Sequence, residues 1–147
     1  MVEIREATID EVEAVADLWL AMCAELKPEA TPDKGAWIKL VGDLFRTGTY
    51  HIVVAEDEGR LVGFVDGLIY LEPSVGQKIG MSQFIYVHPD HRFSDTAPRL
   101  YQLIVQLVNG YGVTSVYTTC EQKTKALWER KGFVVERYIM RHIVEEV

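Results

Sequence analysis

The chain has 147 residues, enough for a single domain over residues 1–147, and its 48% apolar and 25% charged content excludes long disorder. A formal net charge of −7 leaves no basic footprint for a phosphate backbone and so argues against nucleic acid as the main partner. The charged N-terminus, the lack of any apolar run of spanning length and only two cysteines, Cys23 and Cys120, together predict a reduced cytoplasmic protein with no membrane partner.

Val2 and Ile4 alternate with polar residues as a short first strand, and Thr8 with Glu11 forms a capping box that opens a helix. Val12, Val15, Ala16, Trp19, Met22, Cys23 and Leu26 recur at helical spacing along it, and Pro28 ends it. A second helix is predicted from Thr31, with Pro32 in its first turn, burying Trp37, Leu40, Val41, Leu44 and Phe45 and stopping at Gly48. Tyr50 to Ala55 and Leu61 to Leu71 read as a hairpin around Asp57 to Arg60. Glu72 to Lys78 is expected as a loop, and Met81 to Val87 as one strand running up to Pro89.

From Ala97 the spacing turns helical again through Leu100, Tyr101, Ile104, Leu107, Val108 and Tyr111, with Gly110 and Gly112 ending the helix. Val113 to Cys120 is predicted as a strand, Lys123 to Lys131 as a helix closed by Gly132, and Phe133 to Val144 as the last strand or strands. The fold class is α/β (α+β): a mixed, mostly antiparallel sheet flanked by helices, in the order β-α-α-β-β-β-α-β-α-β.

Three segments resemble the GNAT superfamily of N-acetyltransferases. Ile4-Arg-Glu-Ala-Thr-Ile-Asp-Glu-Val12 is similar to the family's opening strand and capped helix. Val87-x-Pro-x-x-Arg92 is similar to its fourth strand and the entry to its cofactor loop, and Ala126-Leu-Trp-Glu-Arg-Lys-Gly-Phe133 looks like its penultimate helix. Trp19-Leu20 and the Ala55 to Phe64 hairpin look nearest the aminoglycoside acetyltransferase branch. The resemblance implies acetyl-CoA as co-substrate, no metal, and transfer of an acetyl group to the primary amine of a small cationic molecule in a ternary complex. Glu25, Glu29, Asp33 and Glu72 would suit such a cation electrostatically.

By the same resemblance, the main chain of Phe84, Ile85, Tyr86 and Val87 would pair with pantetheine. The turn Arg92, Phe93, Ser94, Asp95, Thr96 and Ala97 would face the pyrophosphate, which a helix N-terminus binds through unpaired N–H groups and its dipole. The family pattern Arg/Gln-x-x-Gly-x-Gly/Ala puts Asp95 where its first glycine stands. The Asp95 carboxylate would either fold back on the helix N–H groups and fill the anion site or serve as an ordinary helix cap.

Two more positions depart from the family. Gln83 falls where many relatives have a carboxylate base, and Trp128, expected beside the cofactor, falls where many have a tyrosine acid; Glu121 replaces the family's asparagine. Tyr86, Tyr117 and Glu72 are therefore the candidate catalytic residues, with Asp66 or His88 as further proton relays, each against the plainer reading of a packed or solvated side chain. His88-x-x-His91 is weak as a metal pair, lacking a third ligand nearby in sequence. A non-catalytic acyl-CoA-binding or protein-interaction module is the alternative, and a homodimer through the last strand or the exposed helices is left open.

Overall fold

A computed structural model describes residues 1–119 and 125–135 of the chain. β1 (Glu3–Glu6) leads into α1 (Val12–Leu26) through a 3-10 turn at Ile9–Glu11, and the Thr8 N–H donates to Glu11 Oε1 at 3.0 Å, as the capping box requires. Arg5 then locks this entry: its guanidinium forks onto Glu11 at 2.7 and 2.8 Å and reaches Glu56 on the neighbouring strand. The Arg5 guanidinium is the main reason the Glu11 carboxyl is held down at about 2.

α2 (Lys34–Thr47) starts later than the predicted Thr31, because Asp33 supplies the cap by accepting the Ala36 N–H at 2.9 Å. Its apolar face is also narrower than expected: Trp37 and Val41 are buried, Leu44 and Phe45 are half-buried, and Leu40 points to solvent at 59% exposure. Trp37 stacks on Trp19 at 5.1 Å, which joins α2 to α1.

The sheet runs β1-β2-β3-β4-β6, with β2 (Tyr50–Asp57), β3 (Arg60–Glu72), β4 (Gln77–Ser82) and β6 (Val116–Thr118). All its pairs are antiparallel except β4 with β6. The predicted loop Glu72 to Lys78 shrinks to a turn at residues 73–76, since β3 and β4 pair as far as Glu72 opposite Gln77. The predicted strand Met81 to Val87 is broken: β5 (Ile85–Val87) continues the line of β4 along β3 after an interruption at Gln83 and Phe84.

Alternation along the strands divides the core by face. Tyr50, Ile52, Val54, Phe64 and Tyr86 pack under α1 and α2, while Val53, Ala55, Val65 and Val87 pack against α3 (Thr96–Asn109). Leu100, Ile104 and Val108 carry the buried face of α3. That helix lies so close to the sheet that a Cβ on Gly67 would sit 2.8 Å from Ile104 Cδ1, and one on Gly80 would sit 2.3 Å from Val108 Cγ1. α4 (Lys125–Arg130) is the last described helix. Residues 133–135 are not in a strand, and the rest of the predicted closing strand, with Cys120 and Glu121, lies outside the described residues. Among the described residues no helix is long and apolar enough to cross a membrane.

Candidate active site

The interruption between β4 and β5 is a β-bulge with a specific cause. Pairing runs Leu68 to Met81 before it and Val65 to Ile85 after it, so one extra residue is accommodated opposite Asp66. The two N–H groups freed there, from Gln83 and Phe84, both donate to Asp66 Oδ1 at 2.8 Å, and the Tyr50 hydroxyl donates to Oδ2 at 3.0 Å. Asp66 is completely buried. Burial is the largest influence on its carboxyl and pushes it up to about 6, against the downward pull of those hydrogen bonds. The same burial, together with the neighbouring carboxylate, drives the Tyr50 phenol far above its ordinary value.

The bulge decides what β5 offers to a ligand. The Phe84 C=O accepts from Asp66 N–H, and the His88 N–H donates to the Val62 C=O, so even-numbered residues of this segment turn their backbone toward β3. Ile85 and Val87 therefore turn theirs the other way. Among the described residues β6 pairs on that side with Gly80 to Ser82 of β4 and not with β5, so within them β5 and β6 part and the outer edge of β5 has no partner strand. The Val87 C=O is already used by Arg92 Nε at 2.8 Å. Among the described residues the Ile85 N–H and C=O and the Val87 N–H have no hydrogen-bond partner and form the ladder that an extended amide chain would meet. Of the four expected pantetheine residues, Ile85 and Val87 thus turn their backbone to this outer edge, whereas the main chains of Phe84 and Tyr86 face β3.

The turn that follows differs from its expected form in two respects. Asp95 does not cap α3: its side chain makes no capping hydrogen bond, is 75% exposed and lies 3.7 Å from Arg99. The cap is supplied by Ser94 Oγ, which accepts the Thr96 N–H at 3.2 Å. Pro98 removes a further donor from the first helical turn, and the Arg99 N–H is bound to the Asp95 C=O. Arg92, expected to face the pyrophosphate, instead forks onto Glu25 at the end of α1 at 2.7 and 2.6 Å and lies 5.5 Å from the centre of the Tyr86 ring. Glu25 is the main reason its guanidinium is held above the ordinary value. Phe93 is fully exposed at the tip of the turn.

The remaining candidates are spread along one face. Tyr86, Asp66, Tyr117 and Glu72 all lie on the α1–α2 side of the sheet by register. Tyr86 is buried beneath Arg92; Tyr117, half-buried on β6, sits level with Leu68, about 13 Å along the sheet from the Tyr86 position. Glu72 is eight residues from Phe64, the partner of Tyr86, hence about 27 Å away along β3, and its carboxylate accepts from the Ser74 N–H and hydroxyl. These three do not converge on one point.

Trp128 is buried edge-to-face against Tyr101 and Phe133, at 5.3 and 5.4 Å, and so belongs to the packing between α3 and α4. His91 Nε2 meets Asp57 at 2.9 Å, which ties the turn after β5 to the β2–β3 hairpin. The rings of His88 and His91 are 6.4 Å apart, and among the described residues no group of three or more His, Cys, Asp or Glu could hold a metal ion. Asp66 organises this site, and its sequence signal is a lone carboxylate in the otherwise apolar run Leu61 to Leu71.

The Acetyltransferase (GNAT) domain family matches residues 48–135, and the chain belongs to that family of acetyltransferases. No curated protein matches the sequence. Among solved structures, a predicted acetyltransferase from Clostridium acetobutylicum with acetyl-CoA superposes with a TM-score of 0.84 at 10% identity, covering 97% of this chain and 96% of that one. An acetyltransferase from Trypanosoma brucei gives 0.77 at 20% identity over 98% and 100% of the two chains. An aminoglycoside acetyltransferase from an uncultured soil metagenomic sample, in complex with sisomicin, gives 0.71 at 13% identity over 99% and 96%. At these identities the likeness establishes the shared fold.

Proposed function

We propose that this chain acetylates the primary amine of a small cationic molecule, with donor and acceptor bound together and the acyl group passed directly between them. The observation that carries the proposal is the outer edge of β5, without a partner strand among the described residues, beside the β5–β6 cleft. On this reading the Ile85 N–H and C=O and the Val87 N–H would meet the amides of an extended pantetheine chain. Acetyl-CoA, when bound there, supplies the acyl group as a thioester. Turn residues Arg92 to Ala97 would meet its phosphate end, with fewer backbone donors than a glycine turn because Ser94 and Pro98 have used or removed two of them.

The catalytic work that this chain's own residues can do follows from their places. Positioning an amine against a thioester is alone worth up to roughly 7 to 11 kcal/mol, so modest acid–base assistance suffices. Tyr117 lies on β6, the far wall of the cleft, where a phenol suits proton donation to a departing thiolate. Tyr86 fixes the inner wall beneath Arg92. Asp66, ionised above about pH 6, holds the bulge in place and is the nearest buried carboxylate to it. Glu72, at the far end of β3, would act on the acceptor's positive charge at long range. The net charge of −7 suits a cationic acceptor at long range, and the sisomicin-bound neighbour makes aminoglycosides a natural first choice of amine.

Release of CoA thiol from acetyl-CoA, measured against a panel of aminoglycosides, polyamines and amino sugars, tests this reading. Amine-dependent thiol release is expected. Absence of release with every amine, although calorimetry detects acetyl-CoA binding, would remove the catalytic claim.

A further inference from the structure

Glu25 occupies an electrostatically unfavourable position. It lies in the last turn of α1, where the macrodipole is negative and where no basic residue of the helix itself is present. The counter-charge comes from 67 positions away in the sequence: Arg92 presents both terminal nitrogens to the two carboxylate oxygens in a bidentate fork. Arg92 spends its Nε on the Val87 C=O and lies against the Tyr86 ring, so its charge is fixed at the root of the turn that leads into α3. This fork therefore links the end of α1 and the segment after it, residues 27–33, to the turn proposed to meet the donor's phosphates.

We propose that Glu25 sets the affinity for the donor by competing with its pyrophosphate for Arg92, so that seating of the phosphates loosens the end of α1. The inference rests on the reading of residues 92–97 as the phosphate-facing turn. Two anions on either side of one guanidinium repel each other and share one set of donors. Neither charge is fully buried, at 35% exposure for Arg92 and 43% for Glu25, so both pairings are accessible to exchange. By linkage, whatever Glu25 costs the phosphates, the phosphates cost the fork. The Glu25 contact is thus a residue-specific brake on CoA binding that spares ligands without phosphate.

The test compares two probes, CoA and pantetheine, by calorimetric titration of the full chain and its Glu25→Gln variant. Glu25→Gln should tighten CoA by about fivefold and leave pantetheine unchanged. In the wild type, CoA but not pantetheine should speed amide exchange in the last turn of α1, where the Lys27 N–H is bonded to the Cys23 C=O. CoA affinity that is unchanged or weaker in the variant overturns the inference while leaving the donor reading standing. Equal tightening of both probes also overturns it, because the effect would then not be competition between charges. If Glu25→Gln fails to fold, Arg92→Lys, which keeps the charge but cannot fork, should likewise free the end of α1; unchanged exchange there would count against the proposal. No binding of CoA to the wild type would remove the donor reading and this inference together.

Discussion

Replacing Asp66 by Asn isolates the cost of the buried carboxylate that holds the bulge. Asn keeps a side-chain oxygen for the N–H groups of Gln83 and Phe84, and its amide can donate to the Tyr50 hydroxyl oxygen, so the geometry is preserved while the charge is removed. In the folded chain the Asp66 carboxyl is pushed up to about 6, against an ordinary value of 3.8. At about 1.4 kcal/mol per pH unit, that gap corresponds to about 3 kcal/mol, undiminished by solvent because the group is fully buried.

The sign follows from proton uptake. Between 3.8 and about 6 the folded state holds the Asp66 proton while the unfolded state has lost it, so this group's contribution to stability falls as pH rises through that window. Glu11, held down at about 2, acts in the opposite sense and mostly below this window, losing its contribution as pH falls from 4.5, and it is common to both proteins compared. Urea unfolding of both proteins from about pH 4 to about pH 7.5 should show Asp66→Asn gaining on the wild type by up to about 3 kcal/mol as pH rises. A constant difference would refute the reasoning. A difference that grows on acidification would show that the three hydrogen bonds outweigh burial and hold the carboxyl below its ordinary range.

Two further substitutions probe packing and the donor turn. Gly80→Ala places a methyl 2.3 Å from Val108 Cγ1, on a branched side chain with little freedom to move, and should cost about 1 to 3 kcal/mol in chemical denaturation; a neutral result would mean that α3 shifts freely over the sheet. Asp95→Gly removes an exposed negative charge from the phosphate-facing turn without uncapping α3, because Ser94 supplies the cap, and should tighten acetyl-CoA by about two- to fivefold at low salt, with the gain fading at high salt. A salt-independent change would point to altered backbone rather than charge.

Much of the architecture was legible because its signals are local. The capping box at Thr8, the hairpin around Asp57 to Arg60, and the Leu100, Ile104 and Val108 stripe all depend on residues a few positions apart. The start of α2 was misplaced because Pro32 is itself a good first-turn residue, and only the Asp33 hydrogen bond to Ala36 shows which cap prevails. The bulge was not legible, since Met81 to Val87 contains neither glycine nor proline; it exists because Asp66, across the sheet, satisfies the two amides it frees. Arg92 likewise gave no sign of its link to α1. Its partner, Glu25, belongs to another helix, and sequence spacing carries no record of that contact.

Amide hydrogen exchange and chemical shifts of β5 on addition of acetyl-CoA test the central claim most directly. If the donor's pantetheine lies along the open edge, the Ile85 and Val87 amides gain protection and shift, while Tyr86 and His88, already bonded to β3, change little. Binding of acetyl-CoA with Ile85 and Val87 unperturbed would contradict the account, because the donor would then lie elsewhere on the fold.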